Sequence, residues 1–431
     1  LAPIQPSLAL AAAAAFAVIS YAASRPATAS TLLLGAYLIP LLAFGRLYAY
    51  TGFDPVYLPE VLLMVALVVS FPLWWSAYLD AVPRWYRLAS AGFALLGLVA
   101  TYNGLGHGYQ GAMKGLIFVV YPLASAPCAA WIRVHGAQWR GILLAAAVAS
   151  PLGLLVLTLA NSSEGIAAAY GFYLAGLVAL AVVWPQGLGR RVLIVAAYLG
   201  PVLLVGSSRR GPILTIVVAL VVSQIARRQM PWRTVRPFVV GCAAGLAVLA
   251  FVMGISGSTP DHLPLVGTTV QRSTHSFGSP GPESEANVAF RFDLWRYSME
   301  TTLHHGFWLG TGFGRPFDFR FRNVDYRTVD TGGPHNSFVG VFYFMGVPAG
   351  LAFIAIVVAA FRSAGRRRDS PQLAAFQLAW LAAAVATMFT NVALEAPYIG
   401  GPIWILIAWS LLSRETADPE SAGQRRDALH A

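Results

Sequence analysis

Three places in the sequence carry residues that could do chemistry on an anion. The pair Arg209 and Arg210 sits in Gly206-Ser207-Ser208-Arg209-Arg210-Gly211-Pro212, between two apolar runs. Guanidinium forks bind phosphate oxygens in pairs, and a dry setting strengthens them. Gly211 and Pro212 would open the next helix, whose N-terminal amides add partial positive charge. Two arginines reaching out to lipid headgroups would leave the same trace. Arg291 lies four residues before Trp295. It is either a second cation on the same anionic ligand or a headgroup contact made by a surface helix. His335 opens Pro334-His335-Asn336-Ser337-Phe338, where a long polar stretch enters an apolar run. An imidazole titrates near neutrality and suits a general base, and nearby arginines would favour its neutral form. A helix-capping histidine bonded to backbone would sit at the same junction.

Carboxylates are the rival bases. Asp318, Asp325 and Asp330 fall in the polar stretch, and Glu60 and Glu395 fall at or inside apolar runs. An acid at membrane depth is a functional candidate by default. No closely spaced acidic pair suggests a divalent ion, and no histidine–carboxylate cluster suggests zinc, so no metal is expected. A serine-hydrolase elbow and a glycine loop before a lysine are missing from the sequence as well. Cys128 and Cys242 lie in apolar runs and read as small core residues.

The surroundings of these residues are apolar. The chain has 431 residues, of which 57% are hydrophobic and 11% charged. An average soluble domain carries about 25% charged residues. With a mean hydropathy of +0.64, the chain fits neither a soluble globule nor a disordered polymer. The net charge of +11 is almost wholly arginine, since Lys114 is the only lysine. In a membrane protein such cations collect in cytoplasmic loops and at sites for anionic ligands. With no soluble basic domain to hold it, nucleic acid is not an expected partner.

Apolar stretches recur at about 7–23, 30–50, 58–78, 88–104, 115–132, 141–160, 166–184, 190–206, 211–226, 236–256, 335–361, 372–392 and 398–413. Many approach the roughly 20 residues that cross a bilayer as helix. The strict alternation of a barrel strand is lacking. The sequence therefore predicts an all-α polytopic membrane protein of about 12 or 13 helices. The first run is Ala-rich with no basic segment before it, so it reads as a membrane helix rather than a removed signal.

Arginines fall in every second loop: Arg25; Arg84 and Arg87; Arg133 and Arg140; Arg190 and Arg191; Arg227, Arg228, Arg233 and Arg236; and Arg362, Arg366, Arg367 and Arg368. These loops are expected in the cytoplasm, and the Arg209–Arg210 turn on the outer side. The expected organisation is transmembrane helices over 1–256, an extracytoplasmic loop over 257–334, further helices over 335–413 and a polar cytoplasmic tail over 414–431. Within the loop, Val288, Phe292, Trp295, Met299 and Leu303 recur at helical spacing. They predict an amphipathic helix over 285–304 that lies on the membrane or over a cavity mouth. On it, Arg296 can pair with Asp293. His304 and His305 read as surface residues. Gly306, Gly310, Gly312 and Gly314 then force turns.

A transferase using nucleotide-activated sugar would need a nucleotide-binding domain, and no cytoplasmic segment is long enough for one. An activated donor should arrive through the membrane, attached to lipid.

Three segments together resemble the O-antigen ligase and polymerase superfamily of bacterial membrane glycosyltransferases. They are Ser207-Ser208-Arg209-Arg210-Gly211-Pro212; Arg291-Phe292-Asp293-Leu294-Trp295 with the later Gly310-Thr311-Gly312-Phe313-Gly314; and His335-Asn336-Ser337 leading to Gly346. The resemblance covers roughly residues 200–360 and leaves open which of Arg209 and Arg210 matches the family's single arginine; Arg209, directly after Ser208, is favoured. It implies a multi-pass protein of the cytoplasmic membrane with its active site facing outward and no cofactor. The implied donor is an undecaprenyl-diphosphate-linked glycan, and the acceptor a glycan or a lipid. Arg209 or Arg210, with Arg291, would hold the diphosphate, and His335 would act on the acceptor hydroxyl. A polymerase joining lipid-linked repeats and a transporter or flippase of lipid-linked saccharide are the alternatives.

Overall fold

The computed structural model describes residues 24–53, 56–159, 169–184, 187–206, 210–227, 282–315, 317–321, 324–325, 333–367 and 370–412. The expected spans 7–23 and 236–256 lie outside them, as do Cys242 and Asp330. The described chain is helical, with two two-residue antiparallel ladders, β1 (Gly52–Phe53) with β2 (Val56–Tyr57) and β3 (Arg320–Phe321) with β4 (Val324–Asp325).

The helices are α1 (Pro26–Phe44), α2 (Arg46–Ala49), α3 (Leu58–Val69), α4 (Phe71–Asp80), α5 (Arg84–Gly104), α6 (Tyr109–Lys114), α7 (Ile117–Val134) and α8 (Gly136–Leu159). They continue as α9 (Ala169–Val183), α10 (Leu188–Gly206), α11 (Arg210–Arg227), α12 (Pro282–His305), α13 (Ser337–Met345), α14 (Val347–Gly365), α15 (Pro371–Thr390) and α16 (Pro397–Leu411). Among the described residues, six helical stretches of 19 to 24 residues are apolar enough to cross a membrane. At 1.5 Å per residue these are about 28–36 Å long, the thickness of a hydrocarbon core. The protein is an all-α polytopic membrane protein.

Two expected spans are not single rods. The run 58–78 is a pair, α3 and α4, bent by 82° at Ser70. The run 335–361 breaks at Gly346, whose φ of 88° suits glycine and ends α13 after nine residues. Only α14 is a full span. Hydropathy cannot see either break, because both sides of each are apolar.

Lipid tails are as apolar as leucine, so packing and interhelical hydrogen bonds must hold the helices together. Phe338 of α13, Phe353 of α14, Trp404 of α16 and Phe93 of α5 pack in series, with centroid separations of 5.6, 5.6 and 5.2 Å. Trp380 of α15 stacks on Phe172 of α9 at 5.4 Å and donates Nε1–H to its carbonyl at 3.2 Å. The buried Tyr86 hydroxyl likewise meets Ser125 of α7 at 2.7 Å.

The glycine loop after α12 is wedged into this bundle. Val347 N–H donates to the Phe307 carbonyl at 2.8 Å, Thr311 N–H to Tyr343 at 2.8 Å and Gly312 N–H to Phe344 at 3.1 Å. Phe313 N–H reaches Ala100 of α5 at 3.1 Å, and its ring stacks on Phe118 at 4.9 Å. The carbonyls left without partners by the break at Gly346 are thereby used. Gly312 has φ 81°, and a Cβ there would lie 2.9 Å from the Gly104 nitrogen, so no other residue fits.

Candidate functional site

The helix expected over 285–304 is α12, and its burial differs from the expectation. Leu294, Ser298 and Thr302 are fully buried, whereas Phe292 and Leu303 are exposed. Ser298 and Thr302 donate to the carbonyls four residues back, at 2.7 and 2.8 Å, which lets small polar residues face the protein. Phe292 and Leu303 are left facing outward. Arg296 and Asp293 do pair, at 3.5 Å, but both are exposed and the pair adds little. His304 and His305 are exposed in its last turn.

Aromatic contacts fix α12 against α13. Phe317 stacks on Tyr343 at 4.9 Å, and Phe319 meets Phe290 at 6.0 Å and Tyr297 at 5.6 Å. This places half-buried Arg291 at the end of α15, where its Nη1 donates to the Thr390 carbonyl at 3.0 Å. Cations at a helix C-terminus gain from its partial negative charge, so the contact holds the guanidinium in position.

His335 has φ 53°, the one non-glycine residue with positive φ among those described. Histidine tolerates this region better than most residues, at a cost of roughly 1–3 kcal/mol that the surroundings must offset. Its neighbours do so. Trp295 Nε1–H donates to the Pro334 carbonyl at 2.7 Å. Asn336 caps α13, its Oδ1 accepting from the Phe338 and Val339 N–H groups at 3.0 and 3.3 Å. Ser337 Oγ donates to the Asn391 carbonyl and accepts from Leu394 N–H, both at 3.1 Å. The capping role considered for His335 thus belongs to Asn336, which leaves the imidazole for another task. Burial, and then the Arg291 guanidinium, hold that imidazole below its usual proton affinity.

A carboxyl group joins the same place. Glu395, in the turn between α15 and α16, fits into the crook of residues 333–340. A Cβ on Gly333 would collide with its Oε2, and one on Gly340 would lie 2.7 Å from Oε1. Oε1 is shielded from solvent and has no hydrogen-bond partner among the described residues. Burial pushes this carboxyl up to about 8.

The structure therefore brings Arg291 close to His335, and packs Glu395 against Gly333 and Gly340 on either side of that histidine in the chain. Arg209 lies outside the described residues, and Arg210 is the first residue of α11, with its side chain outside them. Asp318 is exposed on the loop, and the Asp325 side chain is not among those described. Glu60 is elsewhere, on α3, where Tyr121 donates to its Oε1 at 2.7 Å. Sequence reasoning gave no sign of the Thr390 and Asn391 carbonyls as receptors for Arg291 and Ser337. Those contacts span 99 and 54 residues.

A polytopic helical protein with an arginine and a histidine joined at the rim of its bundle is the class these features define. Residues 195–354 match the family model of O-antigen ligase. The match runs from α10 into α14, includes Arg209, Arg210, Arg291 and His335, and places this stretch in the O-antigen ligase and polymerase superfamily. Glu395 lies beyond it. No curated protein matches the chain.

Proposed function

We propose that the protein is a membrane glycosyltransferase. It moves a glycan from an undecaprenyl-diphosphate-linked donor to an acceptor hydroxyl at the outer face of the cytoplasmic membrane. Arg291, with Arg209 or Arg210, holds the diphosphate and stabilises the charge that develops as the sugar leaves it. The acceptor oxygen forms a bond to the anomeric carbon as the carbon–phosphate oxygen bond breaks. Its proton passes to His335, kept neutral by burial and by Arg291. The diphosphate lipid departs with the bonding electron pair, and direct displacement inverts the anomeric centre. The wedged glycine loop limits water and so wasteful hydrolysis.

The observation that carries this reading is the convergence of Arg291 and His335, each held by backbone contacts of its own surroundings. The start of α11 supports it. Thr215, early in α11, meets Thr387, late in α15, at 3.4 Å between their hydroxyls. With α11 ending at Arg227 and α15 beginning after Arg367, the positive-inside rule makes the two helices antiparallel, with Arg210 at the Thr390 end.

The test is glycan transfer by purified protein in vesicles supplied with lipid-linked donor. Arg291→Ala and His335→Ala should each lower transfer by about 10²-fold or more while the protein stays folded. Normal transfer by both would overturn the proposal. A ladder of products from donor alone would identify a polymerase, and a single addition to a second lipid a ligase.

A further inference from the structure

The turn between α15 and α16 is a common anchor for the segments that carry Arg291 and His335. Phe389, at the end of α15, meets the Trp295 ring edge to face at 5.4 Å, and Trp295 holds the Pro334 carbonyl. The Thr390 carbonyl holds Arg291. Ser337 Oγ joins the Asn391 carbonyl and the Leu394 N–H. The Glu395 carboxyl then fills the space between Gly333 and Gly340, two residues before His335 and five after it. The turn itself is firmly seated. Ala393, Leu394 and Ala396 are buried, and a Cβ on Gly400 in the first turn of α16 would lie 2.7 Å from the Leu394 carbonyl oxygen.

Glu395 is the unusual member of this set. Its Oε1 is shielded from solvent and makes no hydrogen bond among the described residues, a state that costs about 1–3 kcal/mol. Gly340 lies inside α13, where alanine would ordinarily be favoured by roughly 1 kcal/mol. A Cβ there would meet the Glu395 carboxyl, and the next nearest atoms belong to Pro334 at 3.8 Å. The carboxyl therefore accounts for the glycine. Two local costs fall on one contact, beside a histidine whose backbone is itself strained. A planar carboxyl is thin enough to enter the gap that the two glycines leave between backbone segments.

We propose that Glu395 is a positioning residue for His335, the spacer that sets the 333–340 segment against the Thr390–Glu395 turn and so sets the histidine relative to Arg291. It acts through the backbone and does not touch substrate. This role rests on the reading of His335 as the base, and it falls on a residue outside the stretch matched to the O-antigen ligase family. Burial keeps most of the carboxyl protonated at pH 7, so glutamine reproduces both its shape and its charge.

The full chain in vesicles is tested by two readouts. In the first, diethyl pyrocarbonate acylates neutral imidazoles at pH 7, and mass spectrometry of peptides resolves each histidine. Glu395→Ala should speed modification of His335 about 10-fold by easing local opening, and Glu395→Gln should not. His304 and His305, exposed on α12, serve as internal references and should be unchanged. In the second, Glu395→Ala should lower kcat about 10-fold or more, because small displacements of a catalytic group are that costly. The KM for lipid-linked donor should stay within about two-fold, since Arg291 keeps its own anchor at Thr390. Glu395→Gln should restore kcat. Gly340→Ala should push the carboxyl aside and lower kcat alone, yet add nothing to Glu395→Ala. Should Glu395→Ala not fold, Gly340→Ala approaches the same contact from the other side. Unchanged His335 modification in Glu395→Ala would overturn the proposal. So would unchanged kcat while His335→Ala is impaired, or a Glu395→Gln variant as impaired as Glu395→Ala, because the proton and not the shape would then matter. Full transfer by Arg291→Ala and His335→Ala would instead remove the glycosyltransferase reading. The modification rate alone then decides, a faster rate sustaining the positioning role and an unchanged one ending it.

Discussion

The two ends of α14 both carry cations, and they hold them in contrasting ways. At the Arg362 end, exposed arginines extend from a regular helix into an open cavity. At the other end, the helix stops at Gly346, a loop fills the break, Arg291 is held by the Thr390 carbonyl, and the peptide before His335 is held by the Trp295 indole. Charge that only follows membrane orientation needs no such framework. Irregular backbone at a bundle rim, held by specific hydrogen bonds, marks the end where position matters.

The sharpest way to break that contrast is alanine at each end. Arg291→Ala should lower glycan transfer about 10²- to 10³-fold, the usual loss when one charge-stabilising donor is removed. The Arg362→Gln and Arg366→Gln pair, exposed at the far end of α14, should leave transfer rates within a factor of about two. Equal losses at both ends, read in the same vesicle assay, would erase the distinction.

Backbone comes next. Gly312→Val meets the Gly104 nitrogen and a positive φ together. It should destabilise the protein by several kcal/mol, within the range of strained-backbone and overpacking mutations, seen as a lower melting temperature and poor yield. Gly365→Ala, at the last residue of α14 and with open space around it, should be neutral or slightly stabilising.

Protonation sharpens the comparison further. The carboxyl of Glu395 titrates near 8 when folded and near 4.5 when unfolded. Between those values the unfolded chain gives up its proton first, so rising pH lowers stability across that window. Glu395→Gln should flatten the melting temperature between pH 5 and 8 relative to the parent. His335 has the opposite sign. Its folded proton affinity is depressed below the unfolded value near 6.5, so stability is lost as pH falls below that value. Transfer that depends on neutral His335 should persist to lower pH than for an ordinary imidazole, with the acid limb of the rate profile below about 6.5.

The smallest effect is expected for Arg296→Ala. Its exposed pairing with Asp293 should change stability by no more than about 0.5 kcal/mol, measured by denaturant midpoint.

Much of this was legible in the chain itself. Apolar runs announced the spans, and the polar stretch announced α12 within a few residues of its ends. The pattern of Arg291, Trp295, His335 and Asn336 marked residues that the structure holds in one neighbourhood. The bend at Ser70 and the break at Gly346 were hidden, because a hydropathy window averages across them. The buried stripe of α12 was misleading, because its small hydroxylated residues bond to their own helix and turn inward. Glu395 was visible as the one charge between Ser370 and Leu412. Its place beside Gly333 and Gly340 was not visible, since only tertiary packing brings that turn to the loop.

The anchoring of Arg291 and Ser337 to Thr390, Asn391 and Leu394 has a consequence for biogenesis. Synthesis runs from the N-terminus, so the arginine and the histidine leave the ribosome well before the peptide groups that fasten them. The Arg291–His335 corner of the protein is therefore the last to be completed, and a polypeptide cut short before residue 390 would insert most of its helices without ever closing it.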